Sequence, residues 1–342
     1  MQTSMAFKWP VVSLGDYNVK RKSGHIPKEL IDQFDRNLRN FGALFIVDHG
    51  IDENLCRKCL NDFKEFFHKP LEEKLKYELS DKSRSRGYIP FETLNVRAFM
   101  GEFGCPNDAT ERFLLGPTTN RPQIPDPGDV SQDYMVSWRP NVYHECFRGS
   151  AIEFYNETEK LCHVIMQIMS SAMDMPPNFL RRLCSENDNG MSVAHYPVME
   201  HVKEEKQDRA GEQRDIGLFT LILQDEVKGA LKLRNSFNEL VPADAPSPDA
   251  FLLLLGEPLQ RMTNDFWPSL SHVVPLNGRN DDVSQSLNNR VERTSVPFFV
   301  KLDKSALVRP LPKYLIENGG HAKYETRTFS AFAHEIQNLY EK

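Results

Sequence analysis

The second half of the chain is a succession of short apolar runs, and this feature limits the fold more than any other. Between residues 190 and 303 the runs are MSVAHYPV, GLFTLILQ, ALKLRN, AFLLLLG, LQRMTND, SHVVPL and TSVPFFVKL. Turn-forming residues separate them at fairly regular spacing. Many short strands spaced in this way are typical of a β-sandwich or a β-barrel.

The first half of the chain has helical periodicity, with apolar residues recurring three and four positions apart. Helices are predicted over residues 26–40, 52–67, 70–78 and much of 137–184, and a closing helix over residues 329–342. Short strands are predicted at WPVVSL and ALFIVDHG. The charged stretch EHVKEEKQDRAGE and the proline-rich stretch 121–128 predict loops. The chain is therefore expected to pack helices on a β-rich core.

Composition narrows the classes of protein to which this chain can belong. Its 342 residues suffice for one large or two ordinary domains, and a net charge of −6 without a basic cluster argues against nucleic-acid binding. No apolar run approaches the roughly 20 residues that span a bilayer. The N-terminus lacks a signal-peptide pattern. Six scattered cysteines, including Cys56 and Cys59 in a helical stretch, predict free thiols and a cytoplasmic protein.

Three stretches carry residues suited to metal and anion chemistry. Residues 213–224, QRDIGLFTLILQ, predict one strand on which residues 213 and 215 face the same side. His272 opens a later strand and can supply a third ligand, as a non-haem iron site with three protein ligands requires. Arg293 and Ser295 share a strand face, so both can reach one carboxylate of a dicarboxylate co-substrate.

The ordered set of segments resembles the iron(II)/2-oxoglutarate-dependent dioxygenases of the isopenicillin-N-synthase type. The matching segments are WPVVSL, FGALFIVDHGI, SRGYIP, ERFLLG, AHYPV, DIGLFTLILQDEVKGALKL, LQRMTND, SHVV and RTSVPFF. The resemblance implies an α+β fold, in which a double-stranded β-helix (jelly roll) carries a helical N-terminal subdomain and a C-terminal helix. It implies a mixed N-terminal region over residues 1–185, dioxygenase-like over about 9–120, a jelly-roll core over 186–310, and a C-terminal extension over 311–342.

The same resemblance implies roles for individual residues. Asp215 and His272 would bind Fe(II), while Arg293, Ser295 and Tyr196 would bind 2-oxoglutarate, with O2 as the second co-substrate. The substrate would be a small specialised metabolite, such as an amino-acid derivative, that a monomeric enzyme hydroxylates, desaturates or cyclises. Its pocket would be walled by Arg84, Arg86, Tyr88, Phe91, Phe113, Phe219, Trp267 and the region around Phe332.

The chain departs from the family at the first metal ligand. Gln213 occupies the position of the family's first histidine, and an amide oxygen is a weaker and harder donor than imidazole. Three alternatives remain open: Gln213 coordinates the metal, water takes its place, or the chain is a catalytically silent binding protein or inactivated variant. An oxidase that needs no 2-oxoglutarate, as isopenicillin N synthase is, also shares the Arg293–Ser295 pair. A polar insertion at residues 277–289 is expected to form an exposed loop.

Overall fold

The computed structural model describes residues 7–20, 25–78, 86–102, 104–118, 141–199, 207–276 and 291–337. Two sheets face each other, and helices cover the outer face of the larger one. The predicted α+β fold with a jelly-roll core and with helices at both ends is confirmed. No helix within these ranges combines the length and apolar character that crossing a bilayer requires.

The larger sheet has eight strands, antiparallel except for its first pair. In spatial order they are β1 (Val11–Ser13), β2 (Ala43–Val47), β10 (Phe251–Leu255), β7 (Phe219–Gln224), β12 (Arg293–Val300), β5 (Gly190–Tyr196), β4 (Glu111–Leu115) and β3 (Gly87–Ile89). The smaller sheet has the order β6 (Asp208–Gln213), β11 (His272–Pro275), β8 (Lys232–Arg234) and β9 (Leu240–Pro242). A separate antiparallel pair joins β13 (Leu307–Val308) to β14 (Arg327–Thr328).

The helices follow the predicted periodicity. In chain order they are α1 (Gly15–Lys20), α2 (Lys28–Phe41), α3 (Glu53–Phe67), α4 (Leu71–Leu75), a 3-10 turn (Val96–Met100), α5 (Glu145–Ala172), α6 (Phe179–Leu183), α7 (Glu257–Met262), α8 (Pro312–Glu317) and α9 (Phe329–Gln337). Asp52 caps the N-terminus of helix α3, because its carboxylate accepts a hydrogen bond from the Asn54 amide at 2.9 Å. Cys56 and Cys59 lie buried in α3, and all six thiols are free.

Strand β10 shows how the core is layered. Leu252 and Leu254 pack between the two sheets, while Phe251, Leu253 and Leu255 pack against the helices. Successive side chains of a strand point to opposite faces, so a strand covered on both faces is apolar at every position. The run FLLLL therefore forms an interior strand of the larger sheet, with helices packed on one face and the smaller sheet on the other.

The structure corrects three predictions about secondary structure. Residues 213–224 are not one strand, because β6 ends at Gln213 and β7 begins at Phe219. LQRMTND is not a strand either: Pro258 opens helix α7, whose Leu259 and Met262 face the core.

The third correction concerns the charged stretch predicted as a loop. Its residues 208–212 form most of β6, where Asp208 and Arg209 are buried. Asp208 pairs with Arg97, which satisfies its charge inside the protein. The proline-rich stretch 121–128 and the insertion 277–289 lie outside the described residues.

Candidate active site

Gln213 and His272 meet because β6 and β11 are paired antiparallel. The two residues lie directly opposite each other, and Gln213 Nε2 is 3.5 Å from His272 Nε2. A half-turn of the terminal amide presents its carbonyl oxygen at the same place. The last residue of one strand and the first residue of the next thus supply two of the three candidate ligands.

Asp215 reaches the same point from the connection between the sheets. Its Oδ1 lies 3.9 Å from His272 Nε2, and its Oδ2 accepts a hydrogen bond from Thr220 Oγ1 at 2.6 Å. The Asp215 carbonyl also accepts a hydrogen bond from the Glu257 amide at 2.9 Å. Asp215 therefore joins the site because the chain turns after β6, and not through strand alternation as the sequence pattern suggested.

Gly256 makes that turn possible. A Cβ at residue 256 would lie 1.7 Å from the Gly217 carbonyl oxygen and 3.1 Å from that of Asp215. Backbone atoms cannot yield to such a contact, so only glycine allows this close approach. The entrance to α7 thereby packs directly on the segment that carries Asp215.

The separations of His272 from Gln213 and from Asp215 fit atoms that bind one ion. Two atoms that each lie about 2.1 Å from one metal are about 3 Å apart at a right angle and about 4 Å apart when opposite. The separations of 3.5 Å and 3.9 Å fall in this range. A carboxylate, an imidazole and an amide oxygen form a donor set that accepts Fe(II), weaker than one with two imidazoles.

Glu212 links β6 to the neighbouring strands of the smaller sheet on the face that points away from the candidate ligands. It accepts hydrogen bonds from Arg234 at 2.6 Å and 2.7 Å and from Ser271 Oγ at 2.6 Å. The Arg234 hydrogen bonds are the main reason that the pKa of the Glu212 carboxyl is lowered to about 2. Because Glu212 and Ser271 directly precede Gln213 and His272, this network fixes the backbone beneath both candidate ligands.

Arg293 lies on the facing sheet at a buried position. It is 1% exposed, donates to Ser295 Oγ at 3.1 Å and to Gln224 Oε1 at 3.0 Å, and its guanidinium carbon lies 5.0 Å from the centre of the Tyr196 ring. Tyr196 is opposite Arg293 in the β5–β12 pairing. The structure therefore brings the predicted trio of Arg293, Ser295 and Tyr196 together.

Arg209 supplies a second buried cation that sequence reasoning missed. It donates to the carbonyls of Pro197 and Val291, both at 2.9 Å, while its Nε and Nη1 and the Nε of Arg293 have no partner within the described ranges. Burial, and then the neighbouring Arg293, lower the pKa of the Arg209 guanidinium to about 10. Two buried guanidinium groups with unused donors fit a dicarboxylate.

Two neighbouring cavities meet at the candidate ligands. The smaller, of about 30 Å³, is bounded by the three candidate ligands and by the Arg293 trio. The larger, of about 200 Å³, has mainly apolar walls. Both are lined by Arg112, Gln213, Asp215 and Phe299. A molecule in the larger cavity would therefore lie next to the candidate metal position.

The predicted substrate residues are placed unequally around these cavities. Arg86 lines the larger one, Arg84 lies outside the described residues, and Phe91 packs against a small cluster that includes Met199. Phe332 is buried beneath Arg261, but Phe329 of the same helix lines the larger cavity. The C-terminal helix therefore does form part of the wall.

Four other predicted substrate residues lie in the core instead. Tyr88, Phe113 and Phe219 are buried on the helix-covered face of the larger sheet, and Trp267 donates its Nε1 hydrogen to Asp35 at 2.8 Å. The reason for the first three is side-chain alternation, which turns their neighbours towards the cavities. Those neighbours are Ile89, Arg112 and Thr220.

A second group of potential ligands lies apart from this site. The ligating atoms of His68, His195 and Glu292 are within 4.8 Å of one another. His195 Nε2 is 2.7 Å from Glu292 and its Nδ1 is 2.8 Å from Glu111, while Phe67 stacks on the ring. These contacts show that the three residues belong to a network of polar contacts on the helix-covered face of the larger sheet, and this network explains why they lie close together.

The missed residues share one sequence signal. All four are polar positions inside strands: Thr220 and Arg112 line the smaller cavity, while Gln224 and Arg209 lie beside Arg293. A basic or hydroxyl residue flanked by buried apolar neighbours within a strand marks an inward-facing polar position. That signal was visible for Arg112 in ERFLL and for Thr220 in FTLILQ.

Comparison with known proteins agrees with this geometry. Residues 9–135 match the N-terminal region described as non-haem dioxygenase in morphine synthesis, and residues 188–302 match the 2OG-Fe(II) oxygenase superfamily. The 2-oxoglutarate-Fe(II) type oxidoreductase hxnY of Emericella nidulans is 27% identical over 84% of this chain and 78% of its own. A homoarginine-6-hydroxylase of Arabidopsis thaliana is 28% identical over 83% and 80%.

Solved structures show the same fold. A full-length Neurospora crassa protein in complex with alpha-KG has a TM-score of 0.74 at 20% identity, covering 97% of this chain and 95% of its own. A 2OG-Fe(II) oxygenase family protein from Caulobacter crescentus has a TM-score of 0.71 at 21% identity, covering 96% and 97%. The chain belongs to the 2-oxoglutarate–iron(II) oxygenase superfamily, whose enzymes use Fe(II), 2-oxoglutarate and O2.

Proposed function

We propose that this oxygenase holds its iron through Gln213, Asp215 and His272 and uses it to oxidise a small metabolite. The observation that carries the proposal is the convergence of an amide, a carboxylate and an imidazole where the two cavities meet. Asp215 supplies the anionic ligand and His272 the imidazole. Gln213 supplies its carbonyl oxygen, so the affinity of the protein for iron is reduced but not abolished.

In the second part of the proposal, the other half of the site holds 2-oxoglutarate. Arg293 and Ser295 bind its distal carboxylate, and Arg209 adds a second positive charge beside them. Tyr196 packs against the Arg293 guanidinium and keeps it in the plane that a carboxylate needs. The iron and 2-oxoglutarate together supply the oxidising chemistry, in which O2 is reduced and the co-substrate becomes succinate and CO2.

The chain's own residues determine what reaches the iron. The apolar walls of the larger cavity exclude water and present one part of the substrate to the position between Gln213 and Asp215. Hydroxylation, desaturation and cyclisation all start from the same removal of a hydrogen atom. The proposed substrate is a small specialised metabolite, and the free thiols support a reducing compartment such as the cytoplasm.

The experiment that tests the proposal is an anaerobic titration with Fe(II) in the presence of 2-oxoglutarate. The expected result is a metal-to-ligand charge-transfer band, followed by succinate release when oxygen is admitted. Absence of the band at high iron refutes the proposal in favour of a silent binding protein. Iron binding and substrate oxidation without any effect of 2-oxoglutarate would instead indicate an oxidase that needs no co-substrate.

Two variants at residue 213 test whether the amide coordinates the metal. Gln213→His should tighten iron binding, and Gln213→Ala should weaken it, because the first improves the donor and the second removes it. If Gln213→Ala binds iron as tightly as the wild type, the amide is not a ligand. If Gln213→His alone has activity, residue 213 is a lesion in an otherwise intact site.

A further inference from the structure

Arg112 occupies an exceptional position between the two cavities. It lies in β4 between Glu111 and Phe113, which both face the helices, so alternation turns Arg112 towards the site. Its side chain is 8% exposed and lines both the smaller and the larger cavity. Arg112 is therefore a buried cation directed at the place where the metal site and the larger cavity meet.

The charge of Arg112 is not balanced by a direct contact. Among the described residues, no hydrogen bond and no ion pair within 4.0 Å joins the guanidinium group to another residue, and the buried Nε has no partner. Asp108 attracts it electrostatically, but the two Asp108 oxygens accept hydrogen bonds from the Val96 and Gly211 amides at 3.1 Å and 2.9 Å. The Asp108 carboxylate is therefore hydrogen-bonded to backbone amides and not to the Arg112 guanidinium.

Two other buried cations, Lys74 and Arg97, are paired with carboxylates, in contrast to Arg112. Lys74 donates to Glu111 at 2.7 Å, and Arg97 pairs with Glu102 at 2.7 Å and with Asp208. Buried arginine side chains are rarely left without an anion, because an unpaired buried charge is strongly unfavourable. An anion from outside the chain is the simplest way to complete the environment of Arg112.

The larger cavity indicates what that anion is attached to. Its walls include seven aliphatic or sulfur-containing residues: Ile89, Leu94, Val96, Leu114, Leu115, Met191 and Ile216. Arg86 and Lys301 also line it, but both lie near Asp188, at 3.6 Å and 3.7 Å. Asp215 is the single carboxylate among the described residues of the lining. The cavity therefore combines an apolar body with two cations that lack an ionic partner among the described residues, Arg112 and Arg214. Of these two, only Arg112 is buried and also borders the smaller cavity.

We propose that the substrate is an apolar carboxylic acid whose carboxylate is bound by Arg112 beside Asp215. The inference rests on the proposed function and specifies its substrate class. Arg112 positions the carboxylate at the inner end of the larger cavity, and the apolar remainder extends along its walls. The carbon that is oxidised then lies close to the carboxylate, because Arg112 and the candidate ligands border the same space.

The test compares acids with their neutral analogues. The probes are 3-phenylpropionate and 4-phenylbutyrate with their primary amides, titrated by calorimetry into the anaerobic Fe(II)–2-oxoglutarate protein. Each acid is expected to bind about 10- to 100-fold tighter than its amide, the range that charge-assisted hydrogen bonds give. The preference should disappear in Arg112→Met and survive in part in Arg112→Lys. Equal binding of acids and amides by the wild type, or a preference that persists in Arg112→Met, overturns the inference.

Two further measurements separate this role from other roles of Arg112. If Arg112 binds substrate, 2-oxoglutarate affinity in Arg112→Met stays within about threefold of the wild type; a tenfold loss would make Arg112 a co-substrate residue and overturn the inference. If the wild type shows no charge-transfer band, the proposed function fails, whereas the acid preference can still be measured on the metal-free protein.

Stability provides the last control. The melting temperature of ligand-free Arg112→Met is expected to equal or exceed that of the wild type, because the substitution removes a buried charge without a counter-ion. A fall of more than about 5 °C would show that Arg112 holds the fold together and would overturn the inference.

Discussion

Thr220 offers a sharp test of how the protein prepares Asp215, the proposed anionic metal ligand. Its hydroxyl donates to Asp215 Oδ2 at 2.6 Å, and both residues are buried. Thr220→Val replaces that hydroxyl with a methyl group of similar size, so the carboxylate loses an orienting donor while the core keeps its volume. The metal must then fix the carboxylate itself when it binds.

The size of the effect follows from the strength of the bond. A hydrogen bond to a charged group contributes about 1.5–3 kcal/mol, and each 1.4 kcal/mol corresponds to a factor of ten. We therefore expect iron to bind Thr220→Val about 10- to 100-fold more weakly, a range typical of residues that orient a metal ligand. Anaerobic iron titration at saturating 2-oxoglutarate, followed by the charge-transfer band, measures this directly.

Thr220→Ser is the matched control, since it keeps the donor and loses only a methyl group. Its iron affinity should stay within about threefold of the wild type. Wild-type affinity in Thr220→Val, or an equal loss in both variants, would refute the idea that the hydroxyl prepares Asp215 for the metal. Circular dichroism of each variant verifies that the fold is retained.

Three other perturbations have outcomes that the structure specifies. Arg293→Lys removes the planar pair of donors beside Ser295, so the Kd for 2-oxoglutarate should rise about tenfold or more in the same titration. Burial raises the pKa of Asp108 from 3.8 to about 6, so the folded protein keeps a proton that the unfolded chain releases. The stability of the wild type relative to Asp108→Asn should therefore fall between about pH 4 and pH 6, by up to about 3 kcal/mol, and thermal melts that show a constant difference would contradict this. Glu212 has the opposite sign: its pKa is lowered from 4.5 to about 2, so the stabilisation is complete above pH 4.5 and is lost as the pH falls towards 2. The melting-temperature advantage of the wild type over Glu212→Gln should accordingly shrink below pH 4.5.

Much of the fold could be predicted from local patterns. The helices α2, α3 and α5 and the apolar strands β7, β10 and β12 have clear periodicities, because each buries a continuous apolar surface. Strand β6 was missed because its sequence, DRAGEQ, is polar although four of its residues are buried. Its burial depends on long-range partners, such as Arg97 for Asp208, which no local pattern contains.

The candidate site was predictable in part for the same reason. Asp215, His272 and Arg293 could be identified from their segments, but the turn that carries Asp215 depends on Gly256, some forty residues later. The prediction of substrate residues was wrong for Tyr88, Phe113 and Phe219, because these side chains point to the helix-covered face of their strands. The residues next to them face the cavities. Aromatic character alone does not reveal which face of a strand is turned inwards.

The distribution of charge over the two sheets has a mechanical consequence. Arg209 belongs to the smaller sheet and Arg293 to the larger, and after burial it is the charge of Arg293 that lowers the pKa of the Arg209 guanidinium. Without an anion between them the layers repel at this point; with a dianion the same charges draw the layers together. In the proposed function 2-oxoglutarate is that dianion and links the two sheets, so the amide protons of β6 and β12 should exchange more slowly when it is bound.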